Sequence, residues 1–167
     1  MALPPIGIKA IEVTKMGELV SIKNSLCGLP SKYKYDGWLH YPEGQYEAVL
    51  ETWVTFRLMS SYRLALIFNI IDPGKYNGKH VPAFFGVKRH KGHTREKGGF
   101  IASPRGDLMD LFYRLNPSSP IIRPDRVPLT KLDGIYRVTV QDVLKNRKQK
   151  KHPHQLVYSQ VTDVELI

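Results

Sequence analysis

Residues 45–71 read QYEAVLETWVTFRLMSSYRLALIFNII, and this segment indicates the fold class. In its first half apolar residues such as Tyr46, Ala48 and Leu50 alternate with polar ones, the period of two that a strand with one buried face shows. Its second half, from Tyr62 to Ile71, is dense in β-branched and large apolar residues, as expected of a more deeply buried strand. The segment therefore predicts two sequential strands that pair with each other.

A further strand and a helix are predicted after this pair. Residues 80–88, HVPAFFGVK, predict a third strand, and Pro82 favours an edge or bulged position because proline cannot donate a ladder hydrogen bond. Ser103 and Pro104 are typical of a helix start, as N-cap and first helical residue, and apolar residues follow at helical spacing. The helix is then expected to end at Asn116, which precedes a proline.

Two more alternating segments complete the predicted sheet. Residues 135–143 and 156–167 predict a fourth and a fifth strand. Three strands, a helix and two strands is the order of the OB-fold, a five-stranded Greek-key barrel that binds oligonucleotides. We therefore expect a mainly β protein: an OB-fold-like barrel of five strands over residues 45–167, with one helix between strands 3 and 4.

Residues 1–44 are expected to form an N-terminal extension of short strands or an arm. Its last part, SKYKYDGWLHYPEG at residues 31–44, mixes Tyr and Trp with Lys. Such a mixture fits either a second nucleic-acid contact or a contact with a neighbouring subunit, where Tyr and Trp are favoured as anchors. We favour the subunit contact, which predicts a homo-oligomer.

The charge of the protein is concentrated in two segments. Lys and Arg number 25 against 15 Asp and Glu, a net charge of +10. Residues 88–97, KRHKGHTREK, hold five cations and one Glu, and residues 145–154, KNRKQKKHPH, hold five cations and no acid. Solvated loops are one explanation, but a cluster of one sign repels itself unless a partner neutralises it. The clusters therefore predict a polyanionic partner.

Phosphate-pairing cations and base-stacking aromatic rings are what a protein needs to hold single strands without sequence preference. In an OB-fold the second basic segment is the loop between strands 4 and 5, one of the loops that bind oligonucleotides. The candidate phosphate contacts are Lys88, Arg89, Lys91, Arg95, Lys97, Lys145, Arg147, Lys148, Lys150 and Lys151, with Arg57 and Arg63 beside the loop between strands 1 and 2.

Three aromatic residues are candidates for base stacking. Alternation along the first strand directs Trp53 to the face opposite Leu50 and Val54, Phe84 is out of phase with the apolar residues beside it, and Tyr76 lies in a predicted turn. Packing within the barrel is the competing explanation for each ring, because aromatic residues in strands are mostly buried.

The chain also resembles a known group of proteins from about Leu29 to Ile167. The segments GQYEAVLETWVTFR, RLALIFNIIDPGKYNGKHVPAFFGV, RPDRVPL and VYSQVTDVEL look like uncharacterised small proteins of phages and integrated or conjugative mobile elements. Their layout is similar to that of phage single-stranded DNA-binding proteins of the OB type. The resemblance implies a role in replication, recombination or transfer of such an element, with replication or recombination proteins as possible partners.

Several other classes of protein are disfavoured. The longest apolar run, LALIF, is far shorter than the roughly 20 residues that cross a bilayer, so a soluble protein without a membrane partner is expected. A single cysteine, Cys27, and the lack of a secretory leader fit the cytoplasm. The histidine pairs at 90 and 93 and at 152 and 154 lack the further ligands of a zinc site. We expect no catalytic residue, no metal and no cofactor.

The main hypothesis from the sequence is a non-enzymatic protein that binds single-stranded DNA, with RNA as a possible ligand. The rival hypothesis is a protein-interaction or regulatory module whose basic loops dock on an acidic protein. A nuclease subunit ranks last, because Pro124 and Asp125 are not followed by the second carboxylate that a metal-dependent nuclease motif requires.

Overall fold

The computed structural model describes residues 40–145, 149–151 and 158–167. The elements in these ranges are β1 (Gly44–Leu58), β2 (Ser61–Ile70), β3 (His80–Gly86), β4 (Arg89–Lys91), β5 (Gly99–Ile101), α1 (Asp107–Leu115), a 3-10 turn (Leu129–Lys131), β6 (Ile135–Val143) and β7 (Tyr158–Leu166). In the described ranges no helix is both long enough and apolar enough to span a membrane.

Five of these strands form one antiparallel sheet in the order β3-β2-β1-β6-β7. The predicted pairing of the first two strands is confirmed, and so is the edge position of the strand that holds Pro82. The two edge strands, β3 and β7, approach each other across a cleft. No backbone ladder joins them in the described part of the chain, so a closed barrel is not present there.

The long strand β1 links the two halves of the sheet. Its first part, Gly44 to Val49, pairs with β6, while β2 pairs with it from Ala48 to Leu58. The β1–β2 register shifts between Leu50 and Thr52, where a bulge adds one residue to β1. Because side chains alternate in a strand, the extra residue reverses which face the following side chains occupy.

The larger apolar core lies on one face of the sheet, which we call the inner face. There Leu64, Leu66 and Phe68 of β2 are at most 1% exposed, and they belong to one cluster with Leu108 and Phe112 of α1. The opposite, outer face carries a smaller buried cluster. Its members are Val54, Phe56, Ala65 and Ile67, with Leu58 and Phe84 packed against it. Both faces of the β1–β2 pair are therefore buried.

The helix α1 begins later than the sequence predicts. Its N-cap is Gly106, so the prediction of Ser103 as N-cap and Pro104 as first helical residue is wrong. The reason is a preceding turn, in which the Gly106 amide donates to the Ser103 carbonyl at 3.0 Å. The predicted end is confirmed, because Asn116 is the C-cap.

A small hairpin, β4–β5, begins within the first basic segment, residues 88–97, and its second strand follows directly after that segment. The predicted third strand ends at Gly86 rather than Lys88, and the Lys88 amide already donates to Ile101 at the end of β5, at 2.9 Å. The strands have only three residues each, and β4 reads RHK, which has no apolar alternation. This is why the sequence pattern did not reveal the hairpin.

Candidate nucleic-acid interface

Two ends of the sheet carry the predicted cations. We call one the hairpin end: the Met59–Ser60 turn between β1 and β2, the end of β3 and the β4–β5 hairpin. The other is the loop end, where β6 leaves the sheet at Val143 and β7 enters it at Tyr158. Antiparallel pairing sets these ends apart, because β1 starts beside β6 and finishes at the Met59–Ser60 turn. The strand β2 alone spans about 30 Å.

Arg57, Tyr62 and His90 form a stacked group at the hairpin end. The Arg57 guanidinium lies over the Tyr62 ring, 4.6 Å from its centroid, and the His90 ring meets Tyr62 edge-on at 5.0 Å. His90 Nε2 lies 2.9 Å from the Arg63 carbonyl oxygen. These contacts join the start of β2 to β4 and hold two candidate arginines next to the β4–β5 hairpin.

His90 is the titratable group of this stack. Burial lowers the pKa of His90, the hydrogen bond with the Arg63 carbonyl raises it, and the positive charge of Arg57 lowers it, with a net fall from the ordinary value. The ring is therefore held toward its neutral form, in which one ring nitrogen donates to the Arg63 carbonyl.

Lys88, Arg89 and Lys91 extend the positive charge of the hairpin end. All three are exposed. Lys91 Nζ donates to the Asp125 carbonyl, which connects the hairpin to the proline-rich segment before β6. Lys88 and Arg89, like Arg57 and Arg63, take part in no ion pair among the described residues.

Arg95 and Lys97 are placed by backbone pairing with β1. The Thr55 amide donates to the Arg95 carbonyl at 3.0 Å, and the Lys97 amide donates to the Trp53 carbonyl at 2.7 Å. The backbone of this segment is thus fixed along the part of β1 that β6 does not reach, and both basic side chains are exposed.

At the loop end, Lys145, Lys150 and Lys151 are exposed, and an isolated bridge pairs Lys145 with Lys151. The other two candidates of this segment, Arg147 and Lys148, lie outside the described residues. The structure therefore brings together the candidate cations of one end but does not bring them to those of the loop end; the group at the hairpin end is Arg57, Arg63, Lys88, Arg89, Lys91, Arg95 and Lys97.

Trp53 does not lie where alternation places it. It packs against the inner-face core, as Leu50 does, whereas Val54 belongs to the outer cluster. The prediction that Trp53 faces away from Leu50 is wrong, because the bulge before Thr52 shifts the alternation by one residue. The Trp53 indole Nε1 also donates to the Gly98 carbonyl at 3.2 Å, so the ring helps to hold the basic segment.

Tyr76 and Phe84 are half-buried as well, each with an aromatic partner. Tyr76 meets Tyr41 and Tyr46 edge-on, at centroid distances of 5.4 and 6.2 Å. Phe84 packs on Phe56 at 5.8 Å. Every Phe, Tyr and Trp side chain whose burial the structure describes is half-buried or buried. These rings therefore offer less surface for base stacking than the exposed cations offer for phosphate contact.

Arg123 and Arg126 are basic side chains near the hairpin end that the sequence analysis did not single out. They are 69% and 74% exposed, and Arg123 donates to both carboxylate oxygens of Asp125, at 3.0 and 3.2 Å. Burial raises the pKa of Asp125, but the hydrogen bonds and positive charge of Arg123 and the positive charge of Lys91 lower it by more. The pKa of Asp125 therefore lies below its usual value. The contact of Lys91 with Asp125 places these arginines beside the hairpin, a proximity that no local pattern indicates.

No metal centre is evident in the described ranges: no three His, Cys, Asp or Glu side chains are grouped there so that they could hold an ion. Comparisons of the chain with protein-family models, with curated proteins and with solved structures found no match.

Proposed function

We propose that the protein binds single-stranded DNA, with single-stranded RNA as the alternative ligand, without sequence preference and without catalysing a reaction. The observation that carries the proposal is the group of four cations at the hairpin end, Arg57, Arg63, Lys88 and Arg89, none of which has an ion-pair partner among the described residues. Clustered cations without acidic partners attract phosphates and release their counterions.

The sheet topology supports the proposal. A strand order of β3-β2-β1-β6-β7 with the helix between β3 and β6 is what a partly open OB-fold barrel has, and we interpret the sheet in this way. In such barrels the loops after the first and fourth strands bind oligonucleotides. Here these positions are the Met59–Ser60 turn and the β6–β7 connection, and basic residues flank both.

The proposed mechanism depends more on phosphate contact than on stacking, because the described rings are half-buried or buried. The cellular role that we propose is the one that the sequence resemblance implies: replication, recombination or transfer of a phage or mobile element. Its setting would be the cytoplasm, with a homo-oligomer and replication or recombination proteins as partners.

The test is fluorescence anisotropy of labelled 30-nucleotide poly-dT, poly-U and a duplex of equal length at several salt concentrations. We expect poly-dT to bind best and its affinity to fall steeply with salt, by a slope of about −0.7 per neutralised phosphate on logarithmic axes. Absence of binding to all three at low salt contradicts the proposal and favours an acidic protein partner.

A charge reversal locates the interface. Replacing Lys88 and Arg89 together with Glu should weaken binding of poly-dT by about tenfold or more and make the salt dependence shallower, because two phosphate contacts are lost. The matched control replaces Lys131, before β6, and Arg137, within β6, with Glu; both are exposed, both lie outside the two ends defined above, and the net charge changes equally. Equal losses in both double variants would show that net charge alone, rather than the hairpin end, attracts the strand.

A further inference from the structure

A cleft at the hairpin end adjoins the cations described above and shares Arg63 with them. It lies between the Met59–Ser60 turn, the end of β3 and the start of α1, and has a volume of about 530 Å³. The lining residues that matter for its chemistry are Ser61, Tyr62, Arg63, Val87, Ser103 and Asp107. Its volume falls within the range of about 300–1,000 Å³ that is usual for small-molecule sites.

Backbone contacts fix the walls of this cleft. The Val87 amide donates to the Tyr62 carbonyl at 3.1 Å, which holds the chain after β3 against the start of β2. On the opposite side, the turn that ends in Gly106 presents Ser103 and starts α1 at Asp107. Arg57 and His90 contact the Tyr62 ring and fix its position.

The polar groups of the cleft are available to a ligand. Within the described part of the chain, the Arg63 guanidinium and the Asp107 carboxylate take part in no ion pair or side-chain hydrogen bond. The residues that line the cleft thus include the apolar Val87, the aromatic Tyr62, the cation Arg63 and the carboxylate Asp107.

We propose that this cleft binds one nucleotide of the bound strand, an inference that rests on the proposed function. The base lies against Tyr62 and Val87, Arg63 pairs with the phosphate, and the Asp107 carboxylate accepts a hydrogen bond from an exocyclic amino group of the base. Carboxylates accept such bonds from cytosine N4. Thymine and uracil have no exocyclic amino group, so this one position adds a preference for cytosine over thymine to binding that is otherwise independent of sequence.

The experiment compares 12-nucleotide oligomers of dC and dT bound to the wild-type protein and to D107N. We expect the wild-type protein to bind oligo-dC about fivefold or more tightly than oligo-dT. The amide of D107N both accepts and donates, so it serves either base and the preference should disappear. The matched control is D110N, which removes the same charge one turn further along α1, because Asp110 lines the β3–β7 cleft but not this one, whereas Asp107 lines both.

The possible results separate this inference from the proposed function. If both oligomers bind equally well to the wild-type protein, or if D107N keeps the preference, the nucleotide cleft is wrong while single-strand binding stands. If neither oligomer binds, the proposed function is wrong, and an NMR titration with dCMP decides on the cleft. Shifts of the Ser61 and Val87 amides, absent in R63Q, support it, and unshifted amides overturn it.

Discussion

Trp53 is a structural residue rather than a free platform for bases. Its ring packs against the inner-face core, and its indole nitrogen donates to Gly98 in the segment that carries Arg95 and Lys97. Any loss of DNA binding on replacing Trp53 therefore has to be separated from loss of folded structure.

We expect Trp53→Ala to lower the free energy of unfolding by about 2–3 kcal/mol, since it removes a large packed ring and leaves a cavity. Trp53→Phe should cost about 1 kcal/mol, because it keeps most of the packing and loses the hydrogen bond to Gly98. Urea denaturation of the three proteins measures both values. Unchanged stability of Trp53→Ala together with weaker poly-dT binding would restore the ring as a stacking residue.

The lowered pKa of His90 predicts a loss of stability in acid. Burial and the charge of Arg57 disfavour the protonated ring in the folded protein, although the hydrogen bond with Arg63 opposes them. Below the ordinary value of 6.5 the unfolded chain therefore binds more protons than the folded one. The free energy of unfolding decreases as the pH is lowered from about 6.5, and this decrease stops once the pH is below the pKa of His90 in the folded protein.

Thermal unfolding between pH 8 and pH 5 tests this pH dependence, which His90→Gln should reduce. His93→Gln is the control, because His93 is exposed on the same basic segment. A pH dependence that persists undiminished in His90→Gln would assign the effect to another group.

The segment that connects β4 to β5 is held on β1 by close contact at a glycine. A Cβ on Gly98 would lie 2.1 Å from the Thr55 hydroxyl oxygen and 3.0 Å from the Arg95 carbonyl oxygen. The Thr55 side chain is fully buried and hydrogen-bonded to the Arg95 backbone, so it has little freedom to move.

Gly98→Ala should therefore destabilise the protein by about 1–3 kcal/mol and detach the segment that holds Arg95 and Lys97. Hydrogen exchange at the Thr55 and Lys97 amides reports the detachment, because both donate across this contact. Gly86→Ala is the control, since the nearest atom to its Cβ is a flexible Arg63 side-chain atom at 3.7 Å. Equal effects of the two substitutions would show that the contact at Gly98 is not the cause.

Strands in which apolar and polar residues alternate strictly could be predicted from the sequence. Strands in which this alternation is interrupted, or too short to show, could not be predicted fully. Residues 136–141 alternate without a break, and β6 has the predicted bounds, Ile135–Val143, to the residue. No feature of the sequence indicates the bulge in β1, because Leu50, Glu51 and Thr52 differ little in character from the residues around them. The sequence therefore predicts the wrong face of the sheet for Trp53. The sequence does not predict the hairpin β4–β5, because strands of three residues are too short to show an alternation of apolar and polar residues.

The candidate site was predictable only in its composition. Runs of Lys and Arg identify an electrostatic site without any knowledge of the fold, and most of the candidate cations are indeed exposed. Which of them share one end of the sheet depends on strand pairing between distant residues, and so does the proximity of Arg123 to Lys91. The cleft that Tyr62 and Asp107 line joins residues 45 positions apart, which no local pattern indicates.

At the scale of the molecule, the candidate cations that the structure describes form two groups, one at the hairpin end and one at the loop end, with the packed sheet between them. A single strand that contacted both ends would have to span a distance on the order of the length of β2, about 30 Å. At the stacked spacing of about 3.4 Å per nucleotide this distance corresponds to roughly nine nucleotides. Its size is compatible with the about 4–16 nucleotides that one OB-fold covers.

The shared strand β1 also determines the order in which the protein can assemble during synthesis. Its partner β2 follows after a two-residue turn, but Val49 and Gly44 pair with Ile135 and Val140, some 90 positions later. At about 5–20 residues per second, the ribosome leaves the β6-pairing edge of β1 open for roughly 5–20 s. Early folding of this protein is therefore local, and completion of the sheet waits for translation of its last fifth, which holds β6 and β7.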